Sequence, residues 1–225
     1  PLAVQFKNIN ITWSNVCEIM RLTNVKEIKY YLNLSNRLCL TKRELRKKIK
    51  LDEYNRLPVE VKEKLKSKEV VSISEKVPSP VVLQDLKADG KLTEKLVQKW
   101  IDENPANFCE ALGEGYTYVK SQYKIKIGSN YNYIDVLLFN TIDLNYVVVE
   151  IKVTELKKEH IGQIETYMNY IDVNLKKDFH NKTTGILLVR ENNKWLIKYI
   201  NNDGIKIRKY ITSDERVGEC LGGLR

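Results

Sequence analysis

The chain has 225 residues, of which 43% are hydrophobic and 30% charged, and its net charge is +9. This composition is typical of one large or two small globular domains, and no stretch approaches the ~20 apolar residues of a membrane span. Four cysteines without a CxxC pair and only two histidines argue against a structural zinc site and favour reduced thiols. The N-terminus lacks the layout of a secretory signal, so we expect a cytoplasmic protein. Because Pro1 is not an initiator methionine, we expect the natural chain to extend upstream.

The positive charge is concentrated at the start of the chain, where residues 1–50 carry eleven Lys or Arg and three Glu. Their net charge of +8 leaves +1 for the remaining 175 residues. Such asymmetry indicates a polyanionic partner, because phosphates neutralised by basic side chains release counterions. A solvated helical face is the alternative interpretation.

Residues 12–50 have the apolar spacing of helices, and Thr41 with Glu44 forms a capping box at the start of a basic helix. Short helices followed by a basic, well-capped one are typical of a helix-turn-helix, whose last helix enters a major groove. We therefore predict a small helical DNA-binding domain over residues 1–65. Its predicted nucleic-acid-binding residues are Lys42, Arg43, Arg46 and Lys47.

Residues 66–84 contain serines and prolines that interrupt periodicity, and they are predicted to link this domain to a second one over residues 85–211. The order of apolar segments in the second domain predicts an α/β fold with a mixed central sheet. The polar, glycine-containing residues 212–225 are predicted to form a flexible tail. The predicted helices are at 93–101, 106–112 and 158–173. The predicted strands are at 116–119, 133–140, 146–153 and 184–189, with 122–127 either continuing the first of them or pairing with it, and a hairpin of strands at 195–200 and 205–210 follows.

Three charged residues stand within two of these predicted strands. Asp135 lies in the apolar run 133–139, and Glu150-Ile151-Lys152 belongs to the valine-rich strand that follows. Because an isolated charge in a buried sheet is very costly, these charges need one another or a cation. Side chains alternate along a strand, so Glu150 and Lys152 share a face that Asp135 can approach across a hairpin.

Two carboxylates and one ammonium at a sheet edge are what a Mg²⁺-dependent phosphodiesterase needs. The carboxylates hold the cation, and the lysine helps to position or deprotonate the attacking water. The alternative is a solvated ion pair on an exposed strand, which contributes little energy. The apolar residues that flank Glu150 and Lys152 argue against that alternative.

Further short motifs accompany this charge pattern, in a fixed order along most of residues 1–210. They occur at residues 111–119, 121–123, 133–139, 150–152 and 161–167, and in the N-terminal region at 12–14 and 42–46. Together they resemble the YhcG-like nucleases of the PD-(D/E)xK superfamily. The resemblance implies a restriction-endonuclease-like core of α-β-β-β-α-β topology, preceded by a small helical, helix-turn-helix-like domain.

The resemblance also implies a role for individual residues. Asp135 and Glu150 would be metal ligands, and Lys152 the catalytic lysine. The backbone carbonyl of Ile151 is expected to be a further ligand, because a strand edge exposes it. Gln163, one helix later, would face the same site.

A further acid on the first helix often completes such sites, and two residues are candidates. Glu94 stands where the family has a Leu-Glu-Lys motif, whereas Glu110 is displaced by one position from the family's Glu-Leu-Gly. The expected function is a Mg²⁺-dependent DNA endonuclease, with Mn²⁺ as a substitute cation, and a homodimer is expected by analogy. The alternatives are a non-catalytic DNA-binding protein on a nuclease-like scaffold and an enzyme acting on RNA.

Overall fold

The computed structural model describes residues 10–67, 69–87, 92–191 and 202–212. The chain divides into two compact units, Pro1–Leu57 and Pro58–Arg225, which we call unit 1 and unit 2. Among the described residues, no helix is both long and apolar enough to cross a membrane.

Unit 1 is helical, and its first three helices begin at residues that satisfy free backbone N–H groups. The side chains of Thr12, Asn24 and Thr41 each accept a hydrogen bond from the backbone N–H two or three positions ahead. The predicted capping box is present, because Glu44 also accepts from the N–H of Thr41. The helical prediction for residues 12–50 is confirmed by α1 (Trp13–Ile19), α2 (Val25–Leu38) and α3 (Lys42–Lys50), after which comes α4 (Glu53–Arg56).

Unit 2 is built around one mixed sheet. In the described part of the chain its strands are β1 (Val81–Leu83), β2 (Tyr116–Ile127), β3 (Asn130–Asn140), β4 (Asn145–Glu155), β5 (Thr184–Glu191) and β6 (Ile205–Thr212). They are arranged in the order β1-β6-β5-β4-β3-β2, in which β1, β6, β5 and β4 run parallel while β3 and β2 are antiparallel to their neighbours. The helices of this unit are α5 (Val59–Ser67), α6 (Glu94–Glu103), α7 (Pro105–Leu112) and α8 (Lys158–Asn174).

Helices cover both faces of the sheet, because alternate side chains of its central strands point in opposite directions. On one face, α6 and α7 pack with Val149 and Ile151 of β4. On the other face, α8 packs with Val148. At Gly185 an added Cβ atom would lie 2.8 Å from Sδ of Met168, so α8 approaches β5 closely at this glycine. The α-β-β-β-α-β order from α6 to β5 confirms the predicted restriction-endonuclease-like fold class, and the helical region before it is also present.

The segment predicted as a linker, residues 66–84, is instead part of the fold of unit 2. Its residues Ile73 and Val77 are buried, and β1 pairs in parallel with β6. The guanidinium group of Arg208 donates to the carbonyl oxygens of Val77 at 2.7 Å and Glu75 at 3.1 Å. Serine and proline do interrupt local periodicity here. The linker prediction was wrong because Val77 and Arg208 are 131 positions apart, and a contact over that separation cannot be inferred from the local sequence pattern.

The segment 122–127 continues the strand that begins at Tyr116, which is one of the two alternatives that the sequence left open. Together they form β2, whose pairing with β3 shifts between Tyr118 and Lys120. Such a bulge interrupts the alternation of side chains and so mimics a strand boundary. The second strand of the predicted hairpin corresponds to β6, while its first strand at 195–200 and the tail beyond residue 212 lie outside the described residues.

Candidate active site

The predicted site lies where β3 separates from β4. Residues 136–140 of β3 pair with residues 145–149 of β4, and Asp135 is the first residue beyond this pairing. Its backbone N–H donates to Oε1 of Glu150 at 3.3 Å. The backbone N–H of Ile151 donates in turn to Oδ2 of Asp135 at 2.9 Å. At this point the backbone N–H groups of the two strands donate to carboxylates and not to the carbonyl groups of the neighbouring strand. The side chains of Asp135 and Glu150 therefore lie between the diverging strands.

Lys152 completes the group. Its Nζ lies 3.3 Å from Oε2 of Glu150, and the two side chains are only 14% and 1% exposed. They share a face of β4 because they are two positions apart in an extended strand. The structure thus brings together the three charged side chains that the sequence pattern had singled out.

The electrostatics of the group are unfavourable to two negative charges. Burial raises the pKa of Glu150, the charge of Asp135 raises it further, and the result is a pKa of about 8. The pKa of Asp135 is also raised, chiefly by burial. Burial alone lowers the pKa of Lys152, but the carboxylates of Glu150 and Asp135 outweigh that effect and raise it. Beside Asp135 and a single ammonium group, Glu150 therefore favours its protonated form at neutral pH, and a bound cation would take the place of that proton.

Of the two candidate acids on the helices, Glu94 is the one at this edge of the sheet. Its Oε1 accepts a hydrogen bond from the backbone N–H of Val153 at 3.3 Å. Its negative charge raises the pKa of both Asp135 and Lys152, which places it within electrostatic range of each. Glu110 lies on the exposed surface of α7.

Gln122 is a site residue to which sequence reasoning gave no role. Its Nε2 lies 3.3 Å from Oδ1 of Asp135 and 3.4 Å from Oε1 of Gln98 on α6. Gln122 adopts a left-handed backbone conformation with φ of 45°, which is uncommon within a strand. The motif at residues 121–123 was the sequence feature that could have identified Gln122. A glutamine in an exposed strand is otherwise common and does not indicate a functional role.

Two polar residues of α8 complete the description. Nε2 of Gln163 donates to Oη of Tyr167 at 3.1 Å, a contact within the helix. Nδ1 of His160 accepts from the backbone N–H of Lys157 at 3.2 Å. Burial lowers the pKa of His160, and the positive charge of Lys152 lowers it further. His160 is therefore close enough to Lys152 for the positive charge of that lysine to affect its pKa.

The donor set fits a hard divalent cation. In the described ranges, no group of three or more His, Cys, Asp or Glu is close enough together to hold a metal ion. Mg²⁺, however, is commonly held by one or two carboxylates, with water and substrate oxygens completing its coordination. Asp135 and Glu150 supply that number of carboxylates, and their raised pKa values mark a place where added positive charge is stabilising.

The predicted nucleic-acid-binding residues lie on α3 in unit 1, where two of them are engaged in ion pairs. The side chain of Glu18, only 5% exposed, pairs with Arg46 at 2.6 Å, Arg21 at 3.4 Å and Lys42 at 3.5 Å. The hydrogen bond from Arg46 is the main reason that the pKa of Glu18 falls to about 2. This carboxylate is therefore ionised at neutral pH and holds three cations around it, while Arg43 is exposed.

Comparison with known proteins agrees with this geometry. The family model of the YhcG PDDEXK nuclease domain matches residues 74–216. A protein named "Putative nuclease YhcG" of Escherichia coli (strain K12) is 24% identical over 115 residues, which cover 51% of this chain and 31% of that protein. The chain thus aligns with about a third of the length of this relative.

Two solved structures are similar at a low level. A repair endonuclease from Pyrococcus abyssi has a TM-score of 0.38 and 21% identity, with 55% of this chain and 49% of that chain covered. A complex of EndoMS with double-stranded DNA has a TM-score of 0.38 and 22% identity, with 55% and 48% covered. The family match, residues 74–216, includes every strand described above and the site at the β3–β4 junction.

Proposed function

The chain belongs to the YhcG PDDEXK nuclease family, and we propose that it is a divalent-metal-dependent endonuclease that hydrolyses phosphodiester bonds of DNA. The observation that carries the proposal is the pair of buried carboxylates, Asp135 and Glu150, held against Lys152 where two core strands separate. Packing alone gives no reason to retain three charges there, because uncharged side chains of similar size avoid the cost of desolvation.

The residues of the site have distinct tasks in this proposal. Asp135, Glu150 and the backbone carbonyl of Ile151 would hold Mg²⁺, or Mn²⁺ in its place. The chemistry supplied by a bound divalent cation is polarisation of the scissile phosphate and neutralisation of its growing negative charge. Lys152 donates hydrogen bonds from Nζ, which orient the attacking water and stabilise charge in the transition state.

Neighbouring groups keep the acidic side chains in place. The N–H of Ile151 and the amide of Gln122 each donate to one oxygen of Asp135, which fixes the plane of that carboxylate. Hydrogen bonds of this kind, made to metal ligands by residues around them, commonly affect metal affinity strongly. Glu94 adds negative charge at the edge of the site and is proposed to interact with the cation or its water.

The first test of the proposal is metal-dependent cleavage by the full chain. With Mg²⁺ or Mn²⁺ we expect supercoiled DNA to be converted to nicked and linear forms, and chelation with EDTA to abolish the conversion. In calorimetric titrations Asp135→Asn is expected to lose cation binding, because an uncharged amide is a weak ligand for Mg²⁺. Asp178→Asn, in the exposed turn after α8, makes the same chemical change away from the site and serves as the matched control.

Other outcomes of this test decide between the alternatives. Tight DNA binding by wild type without cation binding or cleavage would indicate the non-catalytic scaffold. Cation-dependent cleavage of RNA with none of DNA would identify RNA as the substrate.

DNA binding by unit 1 is the second part of the proposal. Its support is the net charge of +8 over residues 1–50 and the basic helix α3. Glu18 offsets one charge of the ion-pair network and leaves its three cations with a net surplus. The residues proposed to bind phosphate are Lys42, Arg43, Arg46 and Lys47.

Replacing Arg43 and Lys47 by glutamine is expected to weaken the binding of duplex DNA in EDTA. Two lost phosphate contacts make the dependence of log affinity on log salt shallower by about 2. The turnover rate at saturating DNA should stay at the wild-type value, since neither residue lies in unit 2. The matched control is Lys26→Gln with Lys29→Gln, which removes two exposed charges from α2. Equal affinities of the α3 variant and wild type would contradict a role of α3 in DNA binding.

A further inference from the structure

The hairpin of β2 and β3 extends beyond the rest of the sheet. Its outer part, residues 122–135, lies past the point where β3 pairs with β4, and we call it the arm. A two-residue turn closes it, and Gly128 in this turn has φ of 61°, a conformation that such hairpin turns require. Asp135 marks the base of the arm, so the arm begins at the candidate active site.

One side of the arm is attached to the core. Ile125 of β2 and Ile134 of β3 are buried at 1% and 0% exposure in the cluster that also contains apolar residues of α8. The side of the arm that contains Ile125 and Ile134 is thus packed against the core. The opposite side is exposed to solvent and can contact a ligand. Alternation along the outer part of β3 places Tyr131 and Tyr133 on the side opposite the buried Ile134.

The available side carries two lysines and two tyrosines. Lys124 is paired across the hairpin with Tyr133, and Lys126 with Tyr131. We call these four residues the arm face. Tyr131 and Tyr133 are 57% and 46% exposed. In the described part of the chain neither lysine has a carboxylate partner, and residues 115–134 contain no Asp or Glu.

The two lysines are positioned by a ring. Nζ of Lys124 lies 3.8 Å from the centroid of Tyr131, and Nζ of Lys126 lies 5.9 Å from it. An ammonium group over the face of a tyrosine is attracted to it, and it keeps its positive charge available for another partner. The arm face is therefore a positioned pair of positive charges with phenol groups beside them.

We propose that the arm face binds the sugar–phosphate backbone of DNA on one side of the scissile phosphate, an inference that rests on the proposed function. Tyr133 and Tyr131 are two and four residues from Asp135, which corresponds to roughly 7 and 14 Å along an extended strand. With about 3.4 Å per nucleotide, the arm face lies about two to four nucleotides from the bond that is cut. Lysine ammonium groups and tyrosine hydroxyls both donate to phosphate oxygens.

A second copy of the chain is the other occupant that an exposed aromatic surface could take. In a twofold contact the same patch meets itself, so the lysines of both copies would approach one another. Like charges brought together in this way are repulsive, whereas phosphates are complementary to them. The charge of the arm face therefore favours the polyanion.

The test compares two double variants of the full chain that lose the same charge. Lys124→Gln with Lys126→Gln changes the arm face. Lys177→Gln with Lys182→Gln changes two exposed lysines beyond α8, before the start of β5 at the opposite end of the sheet. Binding of a fluorescent DNA duplex is measured in EDTA over a range of salt. We expect the arm variant to lose about 2 from the slope of log affinity against log salt, and the control to keep the wild-type slope.

A second series examines the ring. Tyr131→Ala should raise KM for DNA cleavage with kcat near the wild-type value, because Lys124 loses its position. Tyr131→Phe keeps the aromatic face and should retain much of the wild-type KM. The increase in unfolding temperature on addition of Mg²⁺ is measured for every variant. A variant with a disturbed active site loses this increase, which distinguishes it from a variant that only binds DNA less tightly.

The outcomes are distinguishable. If wild type binds and cleaves DNA and the arm variant has an unchanged slope and KM, the arm proposal is overturned and the proposed function stands. If wild type neither binds nor cleaves DNA, the proposed function fails and the arm proposal fails with it. If sedimentation shows a wild-type dimer that the arm substitutions abolish, the arm face is a contact between copies, which also overturns the proposal.

Discussion

Replacing Lys152 by alanine is expected to lower the rate of DNA cleavage by a factor of about 10²–10³, the usual loss when one donor that stabilises the transition state is removed. The affinity for DNA in EDTA should remain close to wild type, because Lys152 is 14% exposed and therefore offers little surface to ground-state binding. Single-turnover cleavage at saturating Mg²⁺ is the measurement, since it isolates the chemical step from binding and product release.

The same substitution has a structural consequence that has to be separated from catalysis. Without the ammonium group, Asp135 and Glu150 face each other with no positive charge, and the metal-free protein should be less stable. Saturating Mg²⁺ should restore much of that stability. Lys99→Ala on α6 is the control, because this lysine is 70% exposed and pairs with the exposed Glu103 at 3.7 Å. Cleavage by Lys152→Ala at the wild-type rate would remove Lys152 from the mechanism.

Replacing Glu150 by glutamine is expected to have opposite effects on stability and activity. In EDTA at neutral pH the variant should be more stable than wild type, by about 1–3 kcal/mol, because the buried Glu150, with its pKa raised to about 8, must take up a proton on folding and the neutral amide need not. The substituted side chain retains an oxygen that can accept from the N–H of Asp135, so the local hydrogen bond is preserved. Cleavage should be abolished, since the uncharged amide is a poor ligand for Mg²⁺.

Thermal unfolding with and without Mg²⁺ measures this prediction. Wild type should be stabilised by the cation, because a ligand that binds the folded state raises its stability by mass action. The Glu150→Gln curve should respond little, so that the order of the two proteins in EDTA is reversed at saturating Mg²⁺. Glu103→Gln, at an exposed position on α6, provides the matched control. Lower stability of Glu150→Gln in EDTA, together with an undiminished response to Mg²⁺, would show that this carboxylate is not a metal ligand.

Both predictions arise from one property of the site, which is that its charges are arranged for a ligand and not for the stability of the chain. The carboxylates are buried, mutually repulsive and held by backbone N–H groups and Gln122. A site of this kind is maintained by the folding of the surrounding sheet, and under the proposed function a bound cation and phosphate would compensate its charges. Stability and activity are therefore expected to change in opposite directions at Glu150.

Features that depend on neighbours along the chain could be predicted from the amino-acid sequence. Helix starts at Thr41 and Thr93 could be read because a cap and its N–H partner are three positions apart. The shared face of Glu150 and Lys152 followed from the alternation of one strand. The charges could be recognised as unusual because the apolar residues around them predicted a buried sheet, in which an isolated charge is very costly.

Features that join distant segments of the chain became visible in the tertiary structure. It placed Glu94, and not Glu110, beside the site through a hydrogen bond to Val153, 59 positions away. It also brought Gln122 to Asp135 across a bulged hairpin and paired residues 81–83 with β6. In unit 1 it paired Lys42 and Arg46 with Glu18, where the local pattern suggested free cations. Local sequence specifies which groups an element presents and to which side, but contacts between elements depend on how the whole chain packs, and no local pattern encodes that.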